Sequence, residues 1–255
     1  MSTRRHRDGF DIDTLIQRNA LLSALGDDVI ARLRPVLEPV PLKIRTVLAE
    51  PGERLSHVYF VCSGIISRVG QTSEGRTLEL ACTGPEGAAG VLDVVGLHSS
   101  PYRLIVQLEG TALRTSMAEM VRLLDAEPTL IHSICSYASV VIAQLGQSAV
   151  CARYHTSRQR LARWLVTAAD RAGVSTIPWS HEWITEMVGG TRSAVSTAAS
   201  ELRAEGAIAY TRRTVSIVDR TRLRDAACEC AKVVDAAVRE FVECHRMRAE
   251  RSRRR

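Results

Sequence analysis

Between Val36 and Thr115 the sequence is cut into short apolar runs, HVYFVC, GIISRV, TLELAC and LIVQLEG, separated by PG, SG, SEG and GPEG. Runs of this length, rich in β-branched residues and bounded by Gly and Pro, read as strands joined by turns. Many short strands at such spacing predict a small barrel or sandwich.

The flanking texture is helical. Residues 19–34, NALLSALGDDVIARLR, space Leu22, Leu25, Val29 and Leu33 at helical intervals until Pro35 closes the pattern, which predicts one opening helix. After Ser116 the turn residues thin out, and MAEMVRLLD leads through Pro128 into a long helix. Within residues 129–152, Leu130, Ile134, Tyr137, Val141, Leu145 and Ser148 recur at steps of four and three, close to the spacing of a coiled-coil seam. Such a stripe serves equally in a core helix packed within its own chain. A second apolar face on Ile131, Ala138 and Ile142 predicts that one stripe packs on the barrel and the other meets a partner. A separate helix, SRQRLARWLVTAADRAG, groups Leu161, Trp164, Leu165 and Ala168 and ends at Gly173, where a left-handed cap is easiest. Helical patterning returns after Asp219 and ends in RAERSRRR, whose density of Arg predicts a disordered tip.

The chain has 255 residues, enough for two compact domains. No apolar run is read as approaching the roughly 20 residues of a membrane span, and MSTRRHRDGFDIDT lacks the apolar stretch of a signal peptide, so a cytoplasmic protein is expected. Seven scattered cysteines, at 62, 82, 135, 151, 228, 230 and 244, suit reduced thiols rather than a disulfide framework. Aromatic residues are 4% of the chain, too few for the stacking platforms of a single-strand nucleic-acid binder. Charge is unevenly spread: residues 18–150 hold 11 Lys and Arg against 13 Asp and Glu, and residues 151–224 hold 12 against 6. The second region would attract phosphate.

Ser180–Gly206, SHEWITEMVGGTRSAVSTAASELRAEG, reads as two helices and one turn. Ser180 caps the first, whose apolar face is Trp183, Ile184, Met187 and Val188, and Gly189 and Gly190 break it. Thr191 caps the second, with Val195, Ala198, Ala199 and Leu202 inward and Arg192, Ser193, Ser196 and Thr197 outward near its N-terminal end. Only a helix or ribbon fits the major groove, and the first turns of a recognition helix reach base edges. Arg192 has the forked donors to read guanine; the three hydroxyls can bond bases or phosphates. AIAYTRRTVSIVD then reads as a β-hairpin carrying Arg212 and Arg213 at its tip, placed for phosphate.

This order of parts resembles the Crp/Fnr family of transcription regulators over about residues 19–225. The local markers are EPGE at 50–53, VYFVCSGIIS at 58–67, GPEG at 84–87, SRQRLARWL at 157–165 and ITEMVGGTRSAVS at 184–196. The resemblance implies an α+β fold: an N-terminal antiparallel β-roll like the cyclic-nucleotide-binding domain (19–126), a long dimerisation helix (127–153) and a C-terminal winged helix-turn-helix (154–224). A helical extension with a basic tail follows (225–255). It also implies a homodimer, double-stranded DNA and RNA polymerase as partners, an inverted-repeat operator, and no enzyme activity.

Departures from the family pattern narrow the expectation. In cyclic-AMP-binding members a barrel turn supplies a glutamate for the ribose and an arginine for the phosphate. Here Val91 falls at the glutamate, and Tyr102 and Arg103 at or beside the arginine-serine pair, so this candidate effector pocket is read as not controlled by cyclic AMP. A cyclic-nucleotide-responsive regulator is the alternative. No cysteine precedes Cys62, so the N-terminal iron–sulfur cluster of the oxygen-sensing branch is not expected. Arg192 is kept from the recognition-helix pattern, while Ser193 and Thr197 replace its glutamate and second arginine.

Two other readings compete. A cupin-like metal enzyme would need clustered ligands, yet residues 36–116 contain only His57 and His98. A partner-binding module without DNA contact would have no use for Arg192, Arg212 and Arg213. Cys228, Cys230, Cys244 and His245 are soft ligands, but on one helix i and i+2 point to different sides, so neither metal nor cofactor is expected.

Overall fold

The computed structural model describes residues 11–96, 99–178 and 180–252. Its N-terminal part departs from the single helix expected over 19–34. Helix α1 spans Ile12–Arg18, α2 Ala20–Ser23 and α3 Asp27–Leu33. Gly26 is extended and caps α3, which separates it from α2. Asn19 fixes the other break. Its Oδ1 accepts from Leu22 N at 3.0 Å, and its Nδ2 donates to the carbonyls of Val61 and Gly87, both at 2.8 Å. This fully buried amide is satisfied on both ends, which ties the helices to the β-structure.

Strands β1 (Glu38–Leu42), β2 (Val47–Ala49), β3 (His57–Gln71), β4 (Thr77–Thr83), β5 (Ala88–Ala89) and β6 (Arg103–Ser116) form one antiparallel sheet in the order β1-β6-β3-β4, with β2 on β6 and β5 on β3. HVYFVC and GIISRV, expected as two strands around an SG turn, are one bent strand. Gly64 sits at φ +81°, and a Cβ at Gly110 would lie 2.1 Å from the Ser63 carbonyl oxygen. The SG pair is therefore a bulge where two backbones touch, not a reversal. The roll interior is filled by Val61, Ile66, Leu104, Val106 and Ala112. Helix α4 (Val91–Val95) interrupts the strands between β5 and β6.

Helix α5 (Met117–Ala126) precedes α6 (Pro128–Tyr154). Leu130, Ile134, Tyr137 and Val141 of α6 are buried in one cluster with Phe60, Ala88 and Leu113 of the roll. Ser148 continues the stripe and donates to the Leu80 carbonyl at 2.8 Å. The seam spacing is thus used inside the chain, whereas Ile131 and Ile142 on the other face are 40% and 66% exposed. Contrary to the expectation from apolar runs, Leu130–Tyr154 is long and apolar enough by length and composition to cross a membrane. Small uncharged residues lengthen the run without raising a charge until Arg153. The stripe packed on the roll makes it a core helix.

The C-terminal part comprises α7 (Ser157–Ala172), β7 (Thr176–Ile177), α8 (His181–Val188), α9 (Arg192–Ala204), β8 (Ile208–Tyr210), β9 (Val215–Ile217), α10 (Arg220–Ala226) and α11 (Cys230–Ser252). A capping box, Thr156 with Gln159, opens α7, and Gly173 at φ +68° closes it. Helix α11 folds back along α6, with the Phe241 and Tyr137 ring centroids 5.6 Å apart. It continues to Ser252, into the stretch expected to be irregular; residues 253–255 of that tail, and His98, lie outside the described residues.

Candidate nucleic-acid interface

Helices α8 and α9 and the sheet β7-β9-β8 assemble around one core that includes Leu161, Trp164 and Leu165 of α7, Trp183 and Ile184 of α8, Val195 and Leu202 of α9, and Val215 of β9. Ser180 caps α8 by accepting from Trp183 N at 3.3 Å, and Thr191 caps α9 by accepting from Ala194 N at 3.2 Å. Between them Gly189 and Gly190 sit at φ +73° and +104°, a backbone that L side chains rarely adopt. A two-residue reversal therefore joins the helices, as the GG pair predicts.

The expected contact residues come together on one surface. Thr191, Arg192, Ser193 and Thr197 are exposed and Ser196 is half-buried, all in the first turns of α9. Arg192 donates to Glu182 Oε1 at 3.0 Å; both side chains are 68% exposed, so the pair is weak and opens readily. The hairpin is closed by Thr211 N donating to the Thr214 carbonyl at 2.8 Å. Arg212 and Arg213 stand exposed at its tip and, among the described residues, have no ion-pair partner. Four other arginines of this region are engaged with carboxylates: Arg158 with Glu205, Arg220 and Arg224 with Asp170, and Arg222 with Asp219. Arg153 and Arg203 lie over tyrosine rings and Arg160 donates to the Gly189 carbonyl, none with a carboxylate partner among the described residues, so the wing carries two of several arginines of this region whose charge is not paired.

Tyr210 holds wing and helices in register. Its ring meets His181 edge-on at 5.1 Å, Arg203 lies 5.6 Å over its face, and its hydroxyl is 3.4 Å from Ser200 Oγ. The α8–α9 unit is also docked on the roll, largely through residues that the sequence did not single out. Thr77 Oγ1 of β4 donates to the Glu186 carbonyl at 2.8 Å, and Arg45 Nη2 donates to Ser180 Oγ at 3.1 Å with its guanidinium 5.3 Å over Trp183. Beneath them Arg171 of α7 reaches Cys82 O at 2.7 Å, Gln144 Oε1 at 3.2 Å and Glu86 Oε1 at 3.3 Å. No local spacing signals contacts between residues so far apart in the chain.

The candidate effector residues are placed differently. Val91 is completely buried in the α6-facing core, Tyr102 is half-buried, and Arg103 Nε donates to Glu50 Oε2 at 2.8 Å. Its guanidinium is thus already paired with a carboxylate. Of the soft ligands near the C-terminus, Cys244 is exposed and His245 Nδ1 is 2.9 Å from the Phe241 carbonyl. The expected i, i+2 geometry of Cys228 and Cys230 does not hold, because Cys228 lies in the turn before α11 and only Cys230 begins the helix.

Residues 159–226 match the family model described as a Crp-like helix-turn-helix domain. No curated protein matches the sequence. Among solved structures, the c-di-GMP responsive global regulator CLP of Xanthomonas campestris is 18% identical, with a TM-score of 0.62 over 75% of this chain and 99% of its own. FixK2 from Bradyrhizobium japonicum is 17% identical, with a TM-score of 0.62 over 76% and 98% of the two chains. TTHB099, a CRP-family transcriptional regulator from Thermus thermophilus, is 21% identical, with a TM-score of 0.62 over 74% and 96%. The chain thus carries the Crp/Fnr regulator fold with a Crp-like helix-turn-helix domain.

Proposed function

We propose that this chain is a dimeric transcription regulator of the Crp/Fnr type that binds double-stranded DNA and acts without cyclic AMP. The observation that carries the reading is the exposed N-terminal end of α9, with Arg192, Ser193, Ser196 and Thr197 on one face beside the unpaired Arg212 and Arg213 of the wing. A helix so presented enters the major groove, Arg192 reads guanine after leaving Glu182, and the wing arginines hold phosphate. Dimerisation uses the outer stripe of α6, where Ile131, Cys135 and Ile142 are exposed. Two recognition helices then span inverted half-sites about one helical turn apart. Such a protein works in the cytoplasm, alongside DNA and RNA polymerase. Independence of cyclic AMP is supported by Val91, which offers no carboxylate for a ribose hydroxyl, and by the engagement of Arg103 with Glu50.

The test is binding of the full chain to DNA from upstream of its own gene at several salt concentrations, alone and with cyclic AMP or cyclic di-GMP, the latter because of the CLP likeness. Selective binding without nucleotide that weakens with salt is expected, and Arg192→Ala should cost about 10- to 100-fold on the preferred site. Binding only with cyclic AMP overturns the independence; equal affinity for all sequences, unchanged in Arg192→Ala, overturns the assignment of α9.

A further inference from the structure

Three of the seven cysteines, Cys151, Cys228 and Cys230, form a buried cluster of their own. Cys62 differs, sitting among aliphatic side chains as a small apolar filler, and Cys82 Sγ instead accepts from Arg171 Nη1 at 3.0 Å. Cys151 lies near the end of α6, Cys228 in the turn after α10, and Cys230 at the start of α11. His155 stands one helical turn beyond Cys151 and brings an imidazole to the same point. One donor atom from each of the four residues lies within 4.8 Å of all the others.

We infer that Cys151, His155, Cys228 and Cys230 bind a single zinc ion as a tetrahedral Cys3His site. With Zn–S of about 2.3 Å and Zn–N of about 2.0 Å, tetrahedral ligand atoms stand roughly 3.5–3.8 Å apart. Cys151 Sγ and Cys228 Sγ are 3.5 Å apart, and Cys230 Sγ is 3.4 Å from His155 Nδ1. All four donor atoms lie within 4.8 Å of one another, closer than ligands on different irons of a cluster stand, so the spacing selects one ion over an iron–sulfur cluster.

The surroundings are those of a ligand set. With Nδ1 turned to the cysteines, His155 Nε2 lies 3.2 Å from Glu229 Oε1, the outer carboxylate that commonly orients a metal-bound imidazole. Gln147 Nε2 donates to Cys230 Sγ at 3.2 Å, which favours a thiolate there. Binding zinc releases the thiol protons to solvent, with no change in oxidation state.

The position gives the ion a specific job. The DNA-reading domain begins directly after His155 and ends directly before Cys228, so one zinc staples its entry to its exit and pins α11 to the end of α6. The site does not depend on DNA binding, and its occupancy is read without it.

The test is metal analysis of the full chain purified under reducing, anaerobic conditions, followed by exchange of zinc for Co2+. About one zinc per chain is expected, together with the visible absorption of tetrahedral, thiolate-bound cobalt. Cys228→Ser should lower zinc affinity at least about 100-fold. His155→Cys, which keeps four donors, should retain the ion with a changed cobalt spectrum, and Cys244→Ser, at an exposed thiol outside the site, should load as wild type. A reduced protein that takes up neither zinc nor cobalt overturns the site. So does iron with inorganic sulfide in place of zinc, a Cys151–Cys228 disulfide that persists under these conditions, or Cys228→Ser loading equally well.

Discussion

Replacing Arg171 by Met should lower the stability of the chain by about 3–5 kcal/mol. Arg171 and Glu86 are each 6% exposed, and the guanidinium bridges three elements by reaching Cys82 of β4, Gln144 of α6 and Glu86 of the GPEG turn. Met fills most of the same volume but carries no charge. Its introduction leaves the Glu86 carboxylate buried with the Gly84 N–H at 2.9 Å to receive. The penalty is that of an uncompensated buried charge more than that of a lost attraction. Urea unfolding followed by tryptophan fluorescence is a direct assay, since Trp164 and Trp183 are buried in the core shared by the roll and the DNA-reading domain. With a slope of about 2–3 kcal/mol per molar urea, the midpoint should fall by roughly 1–2 M. Adding Glu86→Gln keeps an acceptor for Gly84 and removes the charge, so the double variant should recover at least about 1 kcal/mol. A single variant within about 0.3 M of wild type, or a double variant that is merely additive, would refute this account of the node.

Other positions test the packing, the dimer and the buried acid. Gly87→Ala puts a Cβ 2.1 Å from the Tyr137 ring and should lower the melting temperature by roughly 3–10 °C; an unchanged melt would mean that the turn yields freely. Ile142→Glu alters a side chain that is 66% exposed, so circular dichroism should be preserved while sedimentation shifts from dimer to monomer; a dimeric variant removes the α6 stripe as the interface. Burial pushes the Glu79 carboxyl above its ordinary value of 4.5, against hydrogen bonds from Ser67 and Trp164 and the charges of Arg163 and Arg171. The folded state therefore holds this proton more tightly than the unfolded state, so the contribution of Glu79 is most favourable at low pH and is lost as pH rises from 4.5 through the folded value. Glu79→Gln should flatten that fall in a pH series of unfolding midpoints; a variant that loses ground relative to wild type as pH rises contradicts the sign.

What is legible in the sequence is local. The caps at Ser180 and Thr191, the GG break and the alternating wing each occupy a few consecutive residues, and each has its expected geometry. The strands of the roll are visible for the same reason, yet SG reads as a turn and is a bulge, because both ask the same of glycine and only the approach of Gly110 distinguishes them. The break within 19–34 depends on Asn19 finding carbonyls at Val61 and Gly87, which helical periodicity does not register. The thiol cluster needs two facts at once. Cys151 and His155 are four apart on one helix face, a spacing that marks a ligand pair, but their partners lie more than 70 residues away. The i, i+2 objection to Cys228 and Cys230 presumes a helix through both, whereas α11 begins only at Cys230.

The return of α11 along α6 bears on how the chain is made. Synthesis runs from the N-terminus, and domains tend to fold as they emerge. Phe241 packs against Tyr137 across more than 100 residues of sequence, so this part of the core cannot close until α11 has left the ribosome. Until then the roll and the helix-turn-helix domain exist with the Tyr137 side of α6 partly bare, a period of exposed apolar surface that a chaperone would be expected to cover. A nascent chain halted after Ala226 would carry its complete helix-turn-helix and still lack the segment that finishes the core of the other half.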